Sequence, residues 1–172
     1  PVDLSENIWR DSAFLMFKEL KEELKLKACE LQLDFKSLSA TLIIAVSNGE
    51  FIACANIGDG RAAYRNNESD WLPMLTPTKG EEANQTLFIT SELWDISAES
   101  EYFGTFLYSS PITAFALLSD GCERASFEIL KPMLRSSSSS LPLRIWVLFN
   151  FAAKYILEIF CEKAQVTSLL SS

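Results

Sequence analysis

Apolar residues recur at helical spacing from about Ser5 to Leu33, where Ile8, Phe14, Phe17, Leu20, Leu24, Ala28 and Leu31 fall mostly on one face. Lysine and glutamate crowd the other face, and Glu23 and Lys27 stand one turn apart in the favourable order. This pattern predicts an amphipathic helix that packs on its own sheet. The period then changes. Ala40 to Val46 reads as a buried strand, Asn48-Gly49 as a tight turn, and Phe51 to Ala55 as the returning strand. Further strands are expected at Arg61 to Arg65, Trp71 to Leu75, Thr86 to Thr90 and Ile112 to Leu118, with the polar turn Asn66 to Asp70 and a loop from Thr76 to Asn84 between them. Consecutive hairpin-like connections of this kind build a largely antiparallel sheet and exclude a doubly wound nucleotide fold.

The later chain is less regular. Ala125 to Leu134 predicts a short helix that ends or bends near Pro132. Arg135 precedes five serines, Ser136 to Ser140, which read as a flexible linker. Beyond it a helix is expected over Ile145 to Lys163, with a frayed tail from Thr167. The implied division is a domain over 1–134, a linker over 135–141, and a C-terminal helix and tail over 142–172.

With 172 residues, 48% of them hydrophobic, the chain has enough apolar content for one packed core. A net charge of −8 leaves no basic surface for nucleic acid. The chain holds no histidine, which excludes Ser-His-Asp and Cys-His catalysis and His-ligated zinc. Any chemistry falls to carboxylates, hydroxyls, thiols, lysine or arginine. The four cysteines (Cys29, Cys54, Cys122, Cys161) form no Cys-x-x-Cys pair, and two lie inside apolar patterns, which suggests reduced thiols and a cytoplasmic setting. The longest uncharged run of the apolar C-terminal stretch, Ile145 to Ala153, is far shorter than the ~20 residues a membrane-spanning helix needs. No membrane association is expected. The chain opens on Pro1, with Asp3, Glu6 and Arg10 interrupting its first apolar positions, so no secretory signal is read and a trimmed product is expected.

Two short β-runs end in an Asp-Gly corner: Asn56-Ile57-Gly58-Asp59-Gly60-Arg61-Ala62 and Leu118-Ser119-Asp120-Gly121. An aspartate at a strand end, released from regular backbone by glycine, is a common way to aim a carboxylate at a hard cation. Read from the residues alone, Asp59 is equally a brace for its own turn, and Arg61 is its expected ion-pair partner.

These two corners, with Ser39-Ala40-Thr41 before them and the threonine-rich Asn84 to Ser91 between them, resemble the type 2C metal-dependent protein phosphatases (the PPM superfamily), in their bacterial-like branch. The resemblance covers roughly Phe35 to Phe127. It implies an α+β fold, a β-sandwich flanked by helices, and hydroxide attack on phosphoserine or phosphothreonine assisted by Mg²⁺ or Mn²⁺. Carried over by position, it makes Asp120 a ligand of the core metal pair, held in a tight corner by Gly121. Asp59 becomes a ligand of an additional metal, and Glu123 a further possible one. No catalytic side chain and no phosphate-binding residue is assigned. The family's opening Glu-Asp pair, its Asp-Gly-His-Gly-Gly motif and its phosphate-binding arginine have no counterpart here, nor has its closing acidic pair. The expectation is therefore the C-terminal portion of a signalling phosphatase domain, incomplete in this chain, weak or inactive by itself and liable to self-association through exposed sheet edges. A catalytically silent phosphatase-fold module for binding or regulation is the alternative.

Overall fold

A computed structural model describes residues 4–66, 71–75, 86–118 and 144–149. The N-terminal pattern folds as α1 (Glu6–Glu30), opened by Ser5, whose hydroxyl accepts the backbone N–H of Ile8 at 3.3 Å. Gln32 ends it in the left-handed region at φ 54°, with Leu33 N–H bonded to Ala28 O and Gln32 N–H to Cys29 O. That pair of bonds is a Schellman closure, formed here without the usual glycine. The buried face is Trp9, Ala13, Phe17, Leu20, Lys21, Leu24 and Ala28, so Ile8 turns outward and a lysine turns in.

β1 (Leu42–Ser47) and β2 (Ile52–Ile57) form the expected hairpin, pairing from Leu42 opposite Ile57 to Ser47 opposite Ile52. Its turn needs Gly49 at φ 91°, and the Asn48 side chain accepts the N–H groups of Glu50 and Phe51. β3 (Arg61–Arg65) and β4 (Leu72–Pro73) follow, the latter shorter than the expected strand. β5 (Gly104–Tyr108) pairs with β2, and β6 (Ala114–Leu118) with β3. With a last strand, β7 (Arg144–Phe149), all the described pairings are antiparallel, in sheets ordered β5-β2-β1-β7 and β4-β3-β6.

Three sequence expectations need correction. Arg144–Phe149, where the C-terminal helix should begin, is strand β7, antiparallel to β1 from Leu42 opposite Phe149 to Ser47 opposite Arg144. An unpaired edge on a largely apolar strand is satisfied better by a second largely apolar strand than by a helix. Residues 86–90 do not form a strand: beyond a single bridge at Thr86 the chain turns at Ile89 and Thr90. β5 was not expected. The helix expected over Ala125 to Leu134, the serine linker and the rest of the C-terminal segment lie outside the described residues.

Strand alternation makes two cores. Leu42, Ile44, Ala53, Ala55 and Ile57 face α1, joined by Leu87, Ile89, Trp94 and Phe103. Ile43, Ala45, Ile52 and Cys54 face the other sheet and meet Ala62, Tyr64, Met74 and Leu75. The result is a helix layer on an antiparallel β-sandwich, an α+β architecture. Among the described residues no helix is long and apolar enough to cross a membrane. Burial pushes the Cys54 thiol up to about 12, so it stays protonated, whereas Cys29 is exposed.

Lys21 is only 2% exposed. Its ammonium donates to Ser91 O at 2.8 Å and to Asp95 Oδ2 at 3.0 Å, beside the Trp94 ring at 5.3 Å. Lys18 pairs with the other Asp95 oxygen at 3.0 Å. Burial alone would raise the Asp95 pKa, but the hydrogen bonds and charges of Lys18 and Lys21 outweigh it and hold the carboxyl below its ordinary value. Folding therefore favours the ionised form. The stabilisation is fully present above the ordinary carboxyl pKa of about 3.9 and is lost as pH falls through the folded value. Asp95→Asn should cost about 3 kcal/mol at neutral pH, because it strands a buried ammonium. It should also flatten the acid limb of stability. Urea unfolding of both proteins between neutral pH and about pH 2 checks this, and parallel acid limbs would refute it.

Candidate functional site

The first Asp-Gly corner is where the chain changes sheet. β2 ends in the four-stranded sheet at Ile57, and β3 starts in the three-stranded sheet at Arg61. Only Gly58, Asp59 and Gly60 make the crossing, so the backbone must reverse in very little space. Gly58 does so at φ 104°, and a Cβ there would meet Thr41 Cγ2 at 2.5 Å and Leu87 O at 2.9 Å. At Gly60 a Cβ would lie 2.6 Å from Ile43 Cδ1. Gly58 is required both by close approach to a Cβ and a backbone carbonyl and by its conformation, whereas at Gly60 the nearest atom is the end of the Ile43 side chain.

Asn56 supports the corner from below. It is fully buried in the strand, and its amide donates to Gly58 O at 3.3 Å. Its Oδ1 is buried without a hydrogen-bond partner among the described residues. Opposite it in the β2–β5 register stands Gly104, where a Cβ would run into that oxygen. A polar residue in an otherwise apolar strand was the available signal for this role.

Asp59 is partly exposed, and its partner is Thr86, whose hydroxyl donates to Asp59 Oδ2 at 2.9 Å. The side chain described on Asp59 is thus that of Thr86, where the sequence points to Arg61 or to the aspartate's own turn. Thr86 opens a strap over residues 86–95 that lies along the start of β1. Ile89 N–H bonds Ala40 O at 2.8 Å, and the Ser39 and Thr90 hydroxyls are 2.7 Å apart. Trp94 Nε1 then donates back to Ile89 O at 3.3 Å, and Lys21 clamps Ser91 O. Three of the sequence segments singled out, Ser39 to Thr41, Gly58 to Gly60 and the threonine-rich run, therefore meet at one place.

The fourth approaches through the sheet register. Arg61 pairs with Leu118, and Leu118 O would be 3.3 Å from a Cβ at Gly60. The chain leaves β6 there, beside the Asp59 corner, and Ser119-Asp120-Gly121 follow directly in sequence. Asp120, Gly121, Cys122 and Glu123 lie outside the described residues. Among the described residues no three His, Cys, Asp or Glu side chains gather as a metal-binding group. Asp59 fits one coordination position of a hard divalent cation: it is a carboxylate at a strand end, with one oxygen hydrogen-bonded and no bond described on the other.

A family model described as protein phosphatase 2C matches residues 3–155. No curated protein and no solved structure gives a significant match.

The corner generates a test of its own. Gly58→Ala should destabilise the protein by about 2–4 kcal/mol, since the new methyl meets both Thr41 and the Leu87 carbonyl in a left-handed backbone. Gly49→Ala, with φ 91° but nothing within 4 Å of the added Cβ, should cost only about 1 kcal/mol. Denaturant midpoints of the two variants check the difference; equal losses would mean that backbone strain alone, not the crowded crossing, requires glycine at position 58.

Proposed function

The chain belongs to the protein phosphatase 2C family, and from that premise we propose that it is a metal-dependent serine/threonine phosphoprotein phosphatase domain. The observation that carries this reading is the β3–β6 register, which brings the strand end leading into Ser119-Asp120-Gly121 beside the Asp59 corner. Asp120 would contribute to the core cation site with Gly121 keeping its corner tight, Asp59 would hold an additional cation, and Glu123 is a further candidate ligand. Mg²⁺ or Mn²⁺ bound there would acidify water and offset charge on the phosphoryl oxygens. The chain's own part is to hold hard oxygens in fixed positions at the sandwich edge. With no histidine available, proton transfer at this site falls to carboxylates and water.

The substrate class follows from the family: a phosphoserine or phosphothreonine on a protein. A cytoplasmic signalling role accords with the unpaired, deeply buried Cys54 thiol. Two candidate carboxylates, with Glu123 as a third, are few for more than one divalent ion, so turnover by this chain alone should be slow.

The experiment is Mn²⁺-dependent hydrolysis of p-nitrophenyl phosphate by this chain, Asp120→Asn and Asp59→Asn. Slow turnover is expected, abolished in Asp120→Asn and reduced in Asp59→Asn. Activity that survives Asp120→Asn unchanged would overturn the assignment, and none in any of the three proteins would favour a silent module used for binding.

Self-association belongs to the same proposal. Among the described residues β5 forms an outer strand of its sheet, and all five residues of β5 and of β6 are only half-buried, Phe106, Leu107, Phe115 and Leu117 among them. Light scattering should detect dimers or larger species that grow with concentration, and a sharp monomer at high concentration would refute this.

A further inference from the structure

We propose that Thr86 is a positioning residue, which fixes the Asp59 carboxylate for a divalent cation without touching the cation itself. The inference rests on the metal-dependent reading above, and names a residue that the sequence marks only as part of a threonine-rich run.

Thr86 Oγ1 donates to Asp59 Oδ2 at 2.9 Å. An ionised carboxylate only accepts, so the direction of this bond is fixed and the threonine proton is committed to it. The hydroxyl is itself held. The next residue, Leu87, is fully buried in the core beneath α1, and its carbonyl lies where a Cβ on Gly58 would be only 2.9 Å away. Two residues further, Ile89 N–H is bonded to Ala40 O at 2.8 Å. The strap is thus pinned against the very corner that carries Asp59, and the β-branched side chain has few rotamers to choose from. An aspartate on a three-residue crossing would otherwise sample several rotamers. With one oxygen tied to Thr86, the carboxylate plane is set before any cation arrives, and the cost of ordering it on binding is removed.

The arrangement also explains the crowding at Gly58. The corner must come close enough to the strap for a hydroxyl to reach the carboxylate, and a side chain at position 58 would hold the two apart.

The test uses the full chain with Thr86→Val, Thr86→Ser, Asp59→Asn and the double variant. Valine keeps the shape and loses the donor; serine keeps the donor. Binding of Mn²⁺ alone is read by electron paramagnetic resonance, with thermal melting run in parallel. Thr86→Val should weaken the Asp59-dependent Mn²⁺ site about tenfold, the scale of losing an outer-shell partner. Thr86→Ser should restore most of that affinity, and Thr86→Val should have no further effect on Mn²⁺ binding in the Asp59→Asn background. If Asp59→Asn weakens Mn²⁺ binding but Thr86→Val does not, the positioning role is overturned while the metal reading stands. If Asp59→Asn leaves Mn²⁺ binding unchanged, the metal role of Asp59 falls, and the role of Thr86 with it. Loss in Thr86→Val accompanied by lowered melting and not rescued by serine would assign Thr86 to structure alone.

Discussion

Everything at the candidate site depends on one steric constraint: the passage from sheet to sheet in three residues. A two-sheet sandwich holds its layers about 10 Å apart, and the chain spans that gap through Gly58, Asp59 and Gly60 with β-structure on both sides. The two glycines are set by contacts with Thr41, Leu87 and Ile43, which belong to the sandwich rather than to any ligand. The aspartate between them gets its position from the fold. Its chemistry is therefore as rigid as the two cores that flank it.

The second organising element is the strap over residues 86–95. It has almost no regular hydrogen bonding of its own, yet it touches α1 through Lys21 and Trp94, the residues leading into β1 through Ala40, and the corner through Thr86. A loop held only by water would frustrate the site, because its groups would need ordering at each binding event. Here the ordering is built in. Trp94, Phe14, Phe17 and Phe103 make edge-to-face and stacked contacts at 5.3–6.4 Å, and the buried Lys21 ties the backbone to a charged pair. Helix, strap and corner thus form one mechanical unit, although α1 carries none of the candidate ligands.

How much of this was legible in the sequence varied with the range of the forces involved. The helix and the β1–β2 hairpin were readable because the apolar period switches from 3.6 to 2 and Asn48-Gly49 marks the turn locally. The inward Lys21 was not, since its partners Ser91 and Asp95 lie seventy or more positions away. The segment of β7 reads as helix in the sequence because a short apolar run has no period to decide between the two, and only its pairing with β1 settles the matter. Residues 86–90 carry strand-like composition, but packing against Ser39 to Thr41 overrides it. The Gly-Asp-Gly corner was visible as a motif, and its partner was not: the sequence pointed to Arg61 or a local turn, whereas the fold supplied Thr86.

That substitution of partner changes what the corner can do. An Asp59 paired with Arg61 would have its charge largely offset, and a cation would have to displace a guanidinium to bind. A neutral hydroxyl donor orients the carboxylate and leaves its negative charge in place, available to a second positive group. Asn56 works in the same sense, bracing the Gly58 carbonyl with a neutral amide. A site meant only to stabilise the sandwich would gain by neutralising the aspartate. Among the described residues the bonds at this corner come from uncharged groups, Thr86 on the carboxylate and Asn56 on the Gly58 carbonyl, at the edge where the β6 strand arrives.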